Sequence, residues 1–304
     1  WTAEGKSARV TCALISGGNE SDLEHTVTAG TDVQTKQYNC SVRDNRTVNI
    51  RFSLKDTGSA DDVAFIDNIA LWKPEGQETA TKYDLWVGGV RVTSDNAGDV
   101  LASDSTNKGK VSFDADTSTL TLDGADLYEE LYYNAGGTWY SIYGTLSELN
   151  VDVAGDSTLG YDGNTYGIED YCGIYNEGTL NIKGSEALTI NTGLGREGDT
   201  RGLWSEEGIA VSGDATVKIT GSMSSQGAYK GFYSPGTVEF TGDSVSEVDF
   251  SQVGRYVSGV SASKVIVSEN AQVNIKSMNE GISYADGSGA AFSQTGGSVT
   301  INAD

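Results

Sequence analysis

The sequence predicts an all-β fold: a parallel β-helix of about six coils, with a β-sandwich segment at the N-terminus. Three observations carry this. First, glycines recur at Gly144, Gly173, Gly202, Gly231, Gly259 and Gly289, a near-constant period of 29 that varies by no more than one. Second, another glycine column runs at a fixed offset from the first, at Gly155, Gly184, Gly213 and Gly242, with Asn270 in the next slot. Third, apolar residues alternate with polar ones at fixed offsets from the glycines. A sustained period of this size is the mark of a solenoid.

One coil shows why. After Gly173 come Ile174, Leu180 and Ile182, then Leu188 and Ile190 past a corner. The next coil repeats this as Leu203, Ile209, Val211, Val217 and Ile219. Leu-x-Ile and Val-x-Ile have period two, so these are strands with one face buried. Each strand is too short to bury that face alone. Coils stacked about 4.8 Å apart would share one core. Antiparallel hairpins would need two-residue turns that the periodic positions lack. Three parallel strands per coil follow, and right-handed winding is the preference for such crossovers. Asn270 is expected to take the left-handed backbone of the corner glycines, being the residue that best tolerates it after glycine. Asp156, Ser185, Asp214 and Asp243 supply turn chemistry beside it.

Ahead of the repeats the organisation changes. Residues 1–74 lack the period and read as a β-sandwich, with strands at 7–15, 47–55 and 63–72. The alternation Val48, Ile50, Phe52, Leu54 marks its buried face. Residues 75–82 lie in a polar stretch with Pro and Gly, suited to a linker. Residues 83–304 form the β-helical unit. Within it, 111–127 is expected as a first, irregular coil. The aromatic segment 128–143 is expected as a loop or N-terminal cover, since solenoid ends need capping. The chain stops at Ile301 to Asp304 in mid-pattern, and it starts at Trp1. A processed or trimmed piece of a longer protein is expected.

Composition excludes several classes. The 304 residues carry a net charge of −23, with 39 Gly and only 2 Pro. Such acidity argues against nucleic acid, whose phosphates demand a basic patch, and suits an exported, soluble protein. No apolar run approaches the roughly 18 residues that would insert in a membrane. Cys12 and Cys40 share one β-rich region, where a disulfide is plausible outside the cell. Cys172 reads as a packed thiol. With His25 as the lone histidine, Ser–His–Asp and Cys–His sites have little to work with. No zinc-ligand spacing exists.

Two segments carry family resemblances. DDVAFIDNIALWKP (61–74), after TVNIRFSLKDTGSA, resembles the last strands of a jelly-roll carbohydrate-binding module. That resemblance implies a structural calcium at Asp67, with the remaining ligands coming from first strands that are not in this chain. YDLWVGGVRVTSDNAGDVL (83–101), followed by VSFDADTSTLTLDGADL, is similar to the entry of β-helical repeat domains on Gram-positive bacterial surface proteins. It implies an extracellular or cell-surface location and no catalytic residues.

The period also places side chains. Two positions past the column glycines come Leu146, Tyr175, Trp204, Tyr233 and Ser261; a further two along come Glu148, Glu177, Glu206 and Pro235. Alternation sends both rows outward, about 4.8 Å between rungs. Tyr175, Trp204 and Tyr233 would offer ring faces to sugar C–H groups, and Glu177 and Glu206 would accept hydrogen bonds from hydroxyls. Equally, stacked rings serve as cross-strand pairs that stabilise a sheet. Carboxylates on neighbouring rungs also approach the separation of a retaining glycosidase, which makes Glu177 and Glu206 the alternative catalytic pair, and they suit calcium bridging. No basic column recurs at the period, with Lys183 and Lys230 isolated, which argues against a polysaccharide lyase. The leading expectation is a non-enzymatic, extracellular glycan-binding, adhesive or scaffolding protein without a cofactor beyond a structural calcium. A β-helical glycosidase or lyase fragment comes second. A fibre subunit that self-associates through open coil ends comes third.

Overall fold

In the computed structural model the chain forms two compact units, residues 1–79 and 80–304. The structure describes strands 7–16, 19–28 and 49–55 of the first unit. It describes residues 80–303 of the second, apart from 105, 129–131, 134–136, 161–169, 194–197, 222–226, 254–255, 278–279 and 286–290. The first unit has an antiparallel sheet with Ser7–Ser16 between Asn19–Thr28 and Asn49–Lys55. Asn19–Thr28 was not expected: its polar sequence hides a strand that completes a hairpin with Ser7–Ser16. The predicted strand 63–72, Asp67, Cys40 with its pairing to Cys12, and Gly289 lie outside the described residues.

The second unit is all-β, with a solenoid of about five turns between residues 119 and 302. Each turn lays down three strands, and like strands stack in parallel into three sheets. Sheet A holds Thr138–Gly144, Asp170–Asn176, Thr200–Ser205, the first halves of Tyr229–Phe240 and Val257–Val267, and Glu280–Ser283. Sheet B holds the start of Thr119–Leu127, then Glu148–Val153, Thr179–Gly184, Gly208–Val211, the second halves of the two long strands and Ala291–Gln294. Sheet C holds the end of Thr119–Leu127, then Ser157–Leu159, Ala187–Asn191, Thr216–Thr220, Val245–Phe250, Gln272–Ser277 and Ser298–Ala303.

The expected inward columns are fully buried and in register. Ile142, Ile174, Leu203 and Phe232 stack in sheet A; Val151, Ile182, Val211 and Phe240 in sheet B; Leu159, Ile190 and Ile219 in sheet C. A stack of this kind gives each strand the neighbours it needs above and below, so burial is continuous.

The glycine columns differ from expectation in three ways. The coil before Gly173 is longer than the period: Ile142 pairs with Ile174, whereas the pairs Ile174–Leu203 and Leu203–Phe232 keep it. Gly144 therefore pairs with Asn176, and Gly184 pairs with Val153 rather than stacking on Gly155. At the other end the column continues through Gly281, since an added Cβ on Gly259 would meet the Gly281 carbonyl oxygen at 2.8 Å. Finally, the left-handed residue that follows Gly184, Gly213 and Gly242 is Glu269, at φ 57°, not Asn270.

Of the two columns, only the corner one takes positive φ, at Gly184, Gly213 and Gly242. In sheet A an added Cβ on Gly202 would lie 2.7 Å from Ile219 Cδ1 of sheet C and 2.7 Å from the Gly231 carbonyl oxygen; Gly173 faces Ile190, and Gly231 faces Val248, in the same way. Close approach of sheets A and C, not backbone conformation, fixes glycine there.

The N-terminal end is covered by antiparallel strands. Lys82–Val87 pairs with Thr138–Gly144, and Lys108–Asp114 pairs with Thr119–Leu127. The cover is thus built from 82–87 and 108–114. The segment expected as a loop or cover, 128–143, instead ends in the first rung of sheet A.

Candidate binding face

The outer face of sheet A carries an unbroken row of aromatic side chains. Tyr143, Tyr175, Trp204 and Tyr233 pair rung to rung, and Trp86 sits opposite Tyr143 on the covering strand. Ring centroids are 5.6 Å apart for Trp86–Tyr143, 5.2 Å for Tyr143–Tyr175, 4.8 Å for Tyr175–Trp204 and 5.8 Å for Trp204–Tyr233. Tyr143–Tyr175 is stacked; the other three contacts are edge-to-face, the arrangement the ring quadrupole favours. The rings of Tyr143, Tyr175, Trp204 and Tyr233 are half-buried. Three of the five were expected. Trp86 and Tyr143 were not, and Leu146, expected at the start of the row, is replaced there by Tyr143.

The aromatic strands turn into sheet B through inward polar residues. Asn176 is fully buried. Its Oδ1 accepts from Leu146 N at 3.1 Å, and its Nδ2 donates to Leu146 O at 2.9 Å and Thr179 O at 2.8 Å. One rung on, Ser205 Oγ donates to Gly178 O at 2.7 Å and accepts from Gly208 N at 2.9 Å. These bonds satisfy corner backbone groups that would otherwise be buried unpaired. They hold Glu177 and Glu206 at the same corner on neighbouring rungs, where Glu177 N donates to Gly144 O and Glu206 N to Asn176 O. Both glutamates are exposed. Glu148 does not extend this row: it pairs with Thr179 at the start of sheet B, and Asn181 Nδ2 donates to its Oε1 at 2.8 Å.

The corner carboxylates act on the aromatic row. Burial first, then Glu206, Tyr143 and Glu177, push the Tyr175 phenol up to about 12. It stays a neutral hydroxyl, able to donate. Tyr140, whose ring lies 5.6 Å from Tyr175, is raised as well, chiefly by burial.

Two cations, unexpected from the sequence, sit at one end of the row, as Arg91 sits over Trp86, 4.8 Å from its centroid, at the other. Arg201 pairs with Lys230 on the next rung. The Arg201 guanidinium lies 4.3 Å from the Trp204 centroid and 5.3 Å from that of Tyr233, and Lys230 Nζ lies 4.1 Å from the Tyr233 centroid. Lys230, expected to stand isolated, is therefore one of a pair. Strict alternation would send Arg201 and Trp204 to opposite faces of their strand. Gly202 and Leu203 between them both face inward, which returns Arg201 to the outer side. Among the described residues, Trp204 Nε1 and Arg201 Nε are buried without a hydrogen-bond partner.

Cys172 occupies the rung before Arg201. It is buried, donates to Ile174 O at 3.3 Å, and burial pushes its thiol up to about 12. It is a packed thiol, not a nucleophile. Among the described residues no group of three or more His, Cys, Asp or Glu is placed to hold a metal. Among them, too, no helix is long and apolar enough to cross a membrane.

The class that fold and face define is a parallel β-solenoid with an aromatic outer sheet. Comparison with protein-family models, curated proteins and solved structures returned no match in any of the three.

Proposed function

We propose that this chain is a non-enzymatic, extracellular carbohydrate-binding and scaffolding protein of a bacterial surface, and that the outer face of sheet A is its glycan-binding surface. The observation that carries this reading is the continuous row from Trp86 to Tyr233. It spans about 19 Å at one rung per 4.8 Å. Ring faces and edges meet sugar C–H groups, the Tyr175 hydroxyl donates, and Glu177 and Glu206 accept from hydroxyls at the corner. The surface location is supported by the acidic composition and by the resemblance of residues 83–101.

Affinity on an open face is expected in the millimolar to micromolar range, because much of the ligand stays wet. The test is a glycan array followed by titration of wild type and Trp204→Ala. Loss of binding in a folded variant supports the face; equal binding removes it. The placement of Glu177 and Glu206 on neighbouring rungs favours a second reading. Turnover of the bound glycan that Glu177→Gln or Glu206→Gln abolishes would make the chain a glycosidase instead.

A further inference from the structure

We propose that Arg201 and Lys230 form an oxyanion site at the end of sheet A away from the glutamate corner, so that the glycan held on this face is anionic, presenting a carboxylate or sulfate to the two cations. This rests on the reading of sheet A as the binding face and narrows its ligand class.

The geometry is that of a charge pair built for a third party. Two cations sit on adjacent rungs of one sheet in a chain with net charge −23. Like charges on neighbouring rungs repel, and an anion beside both offsets that repulsion. One carboxylate is at hand: Asp199 Oδ2 is 3.1 Å from Arg201 Nη2. Its Oδ1 is already used, accepting from Ala228 N at 3.2 Å. Asp199 therefore engages one guanidinium nitrogen, while Arg201 Nε stays buried and unpartnered among the described residues. No ion pair of Lys230 is found among them either. Burial, with the Arg201 charge behind it, holds the Lys230 ammonium below its ordinary value; Asp199 pulls the other way. Among the described residues, the other charged ones aligned with this site are Asp170 and Glu280. Asp170 lies one rung before Asp199 and accepts from Asp199 N through Oδ1 at 2.6 Å. Glu280 lies two rungs beyond Lys230, through Ser258.

The rings beneath complete the site. Arg201 packs on Trp204 and Tyr233, and Lys230 on Tyr233, which orients both cations at little further entropic cost. Arg201 side-chain exposure is 13%, so an oxyanion that reaches it meets a charge weakly screened by solvent. A guanidinium edge and an ammonium side by side are the partners that a carboxylate or sulfate takes through charge-assisted hydrogen bonds. A sugar ring bearing that group would lie over Tyr175 and Trp204, with its neutral hydroxyls toward Glu177 and Glu206.

The test titrates the full chain with tetragalacturonate, its full methyl ester, cellotetraose and sulfated cellotetraose. Wild type is expected to bind at least one anionic probe roughly tenfold or more tighter than its neutral counterpart, with affinity falling as salt is raised. The preference of each anionic probe over its own neutral counterpart tells carboxylate from sulfate. Lys230→Gln and Arg201→Gln are expected to erase the preference for the anionic probe over its neutral counterpart, with melting temperatures checking that both fold; Arg201→Lys should restore part of it. Equal binding of charged and neutral probes, or a preference that survives both variants, overturns the oxyanion site and leaves the aromatic face standing. Anionic binding that survives Trp204→Ala but not Lys230→Gln upholds the site and removes the aromatic face. No binding of any probe overturns both.

Discussion

The Arg201 guanidinium lies 4.3 Å from the centre of the Trp204 ring, although strict alternation along their shared strand would part them. Trp204 also contacts Tyr175 and Tyr233 edge-on, so one ring ties together three rungs. Trp204→Ala is expected to cost roughly 2 kcal/mol or more, from two aromatic contacts and one cation–π contact. Denaturant titration measures it. A loss close to zero would mean the row contributes nothing to the sheet and the ring is held for ligand alone.

Val211 is fully buried between Ile182 and Phe240. Val211→Asp places a carboxylate in the middle of the coil, and roughly 3 kcal/mol or more of destabilisation should follow. Insolubility or loss of a cooperative melt is the expected outcome. A soluble protein that melts normally would contradict the inward assignment of this column.

Gly202 shows how tightly sheets A and C meet. Gly202→Ala should destabilise by roughly 1–3 kcal/mol, the usual cost of overpacking. Ile219→Ala in the same chain should recover part of the loss, because it removes the side-chain clash but not the contact with the Gly231 carbonyl. Two independent, additive losses in a double-mutant cycle would show that the two positions are not coupled.

Stability should fall at high pH. Tyr175 is raised from 10.0 to about 12 and Cys172 from 9.0 to about 12; Tyr171 and Tyr140 are raised too, each chiefly by burial. A folded pKa above the unfolded value means the native state keeps its proton after the unfolded chain has lost it. The stability is fully present below about pH 9 and declines as pH rises toward 12. Thermal melts across this window should show a falling midpoint, with a shallower fall in Tyr175→Phe. A flat profile would mean these groups are not buried as described.

Much of this architecture is written in the period. The inward columns, the three strands per coil and three of the five rings follow from counting along it, because each coil meets the same packing problem. The remainder is fixed by contacts that a period does not carry. Tyr143 stands further before Tyr175 than one period, since the preceding coil is longer. Trp86 joins through an antiparallel strand from outside the repeat. Arg201 and Lys230 are one period apart and were visible as residues, but simple alternation assigns Arg201 to the wrong face; the consecutive inward pair Gly202 and Leu203 reverses it. Asn270 was the natural choice for a left-handed corner, yet the register Phe240–Val267 brings Glu269 to that position.

The most direct test of the binding face is calorimetric titration of the tightest array glycan against wild type, Trp204→Ala and Tyr233→Ala, each first shown to melt cooperatively. Binding that drops roughly tenfold or more in both folded variants is the expected result; unchanged affinity in either would contradict sheet A as the glycan-binding surface.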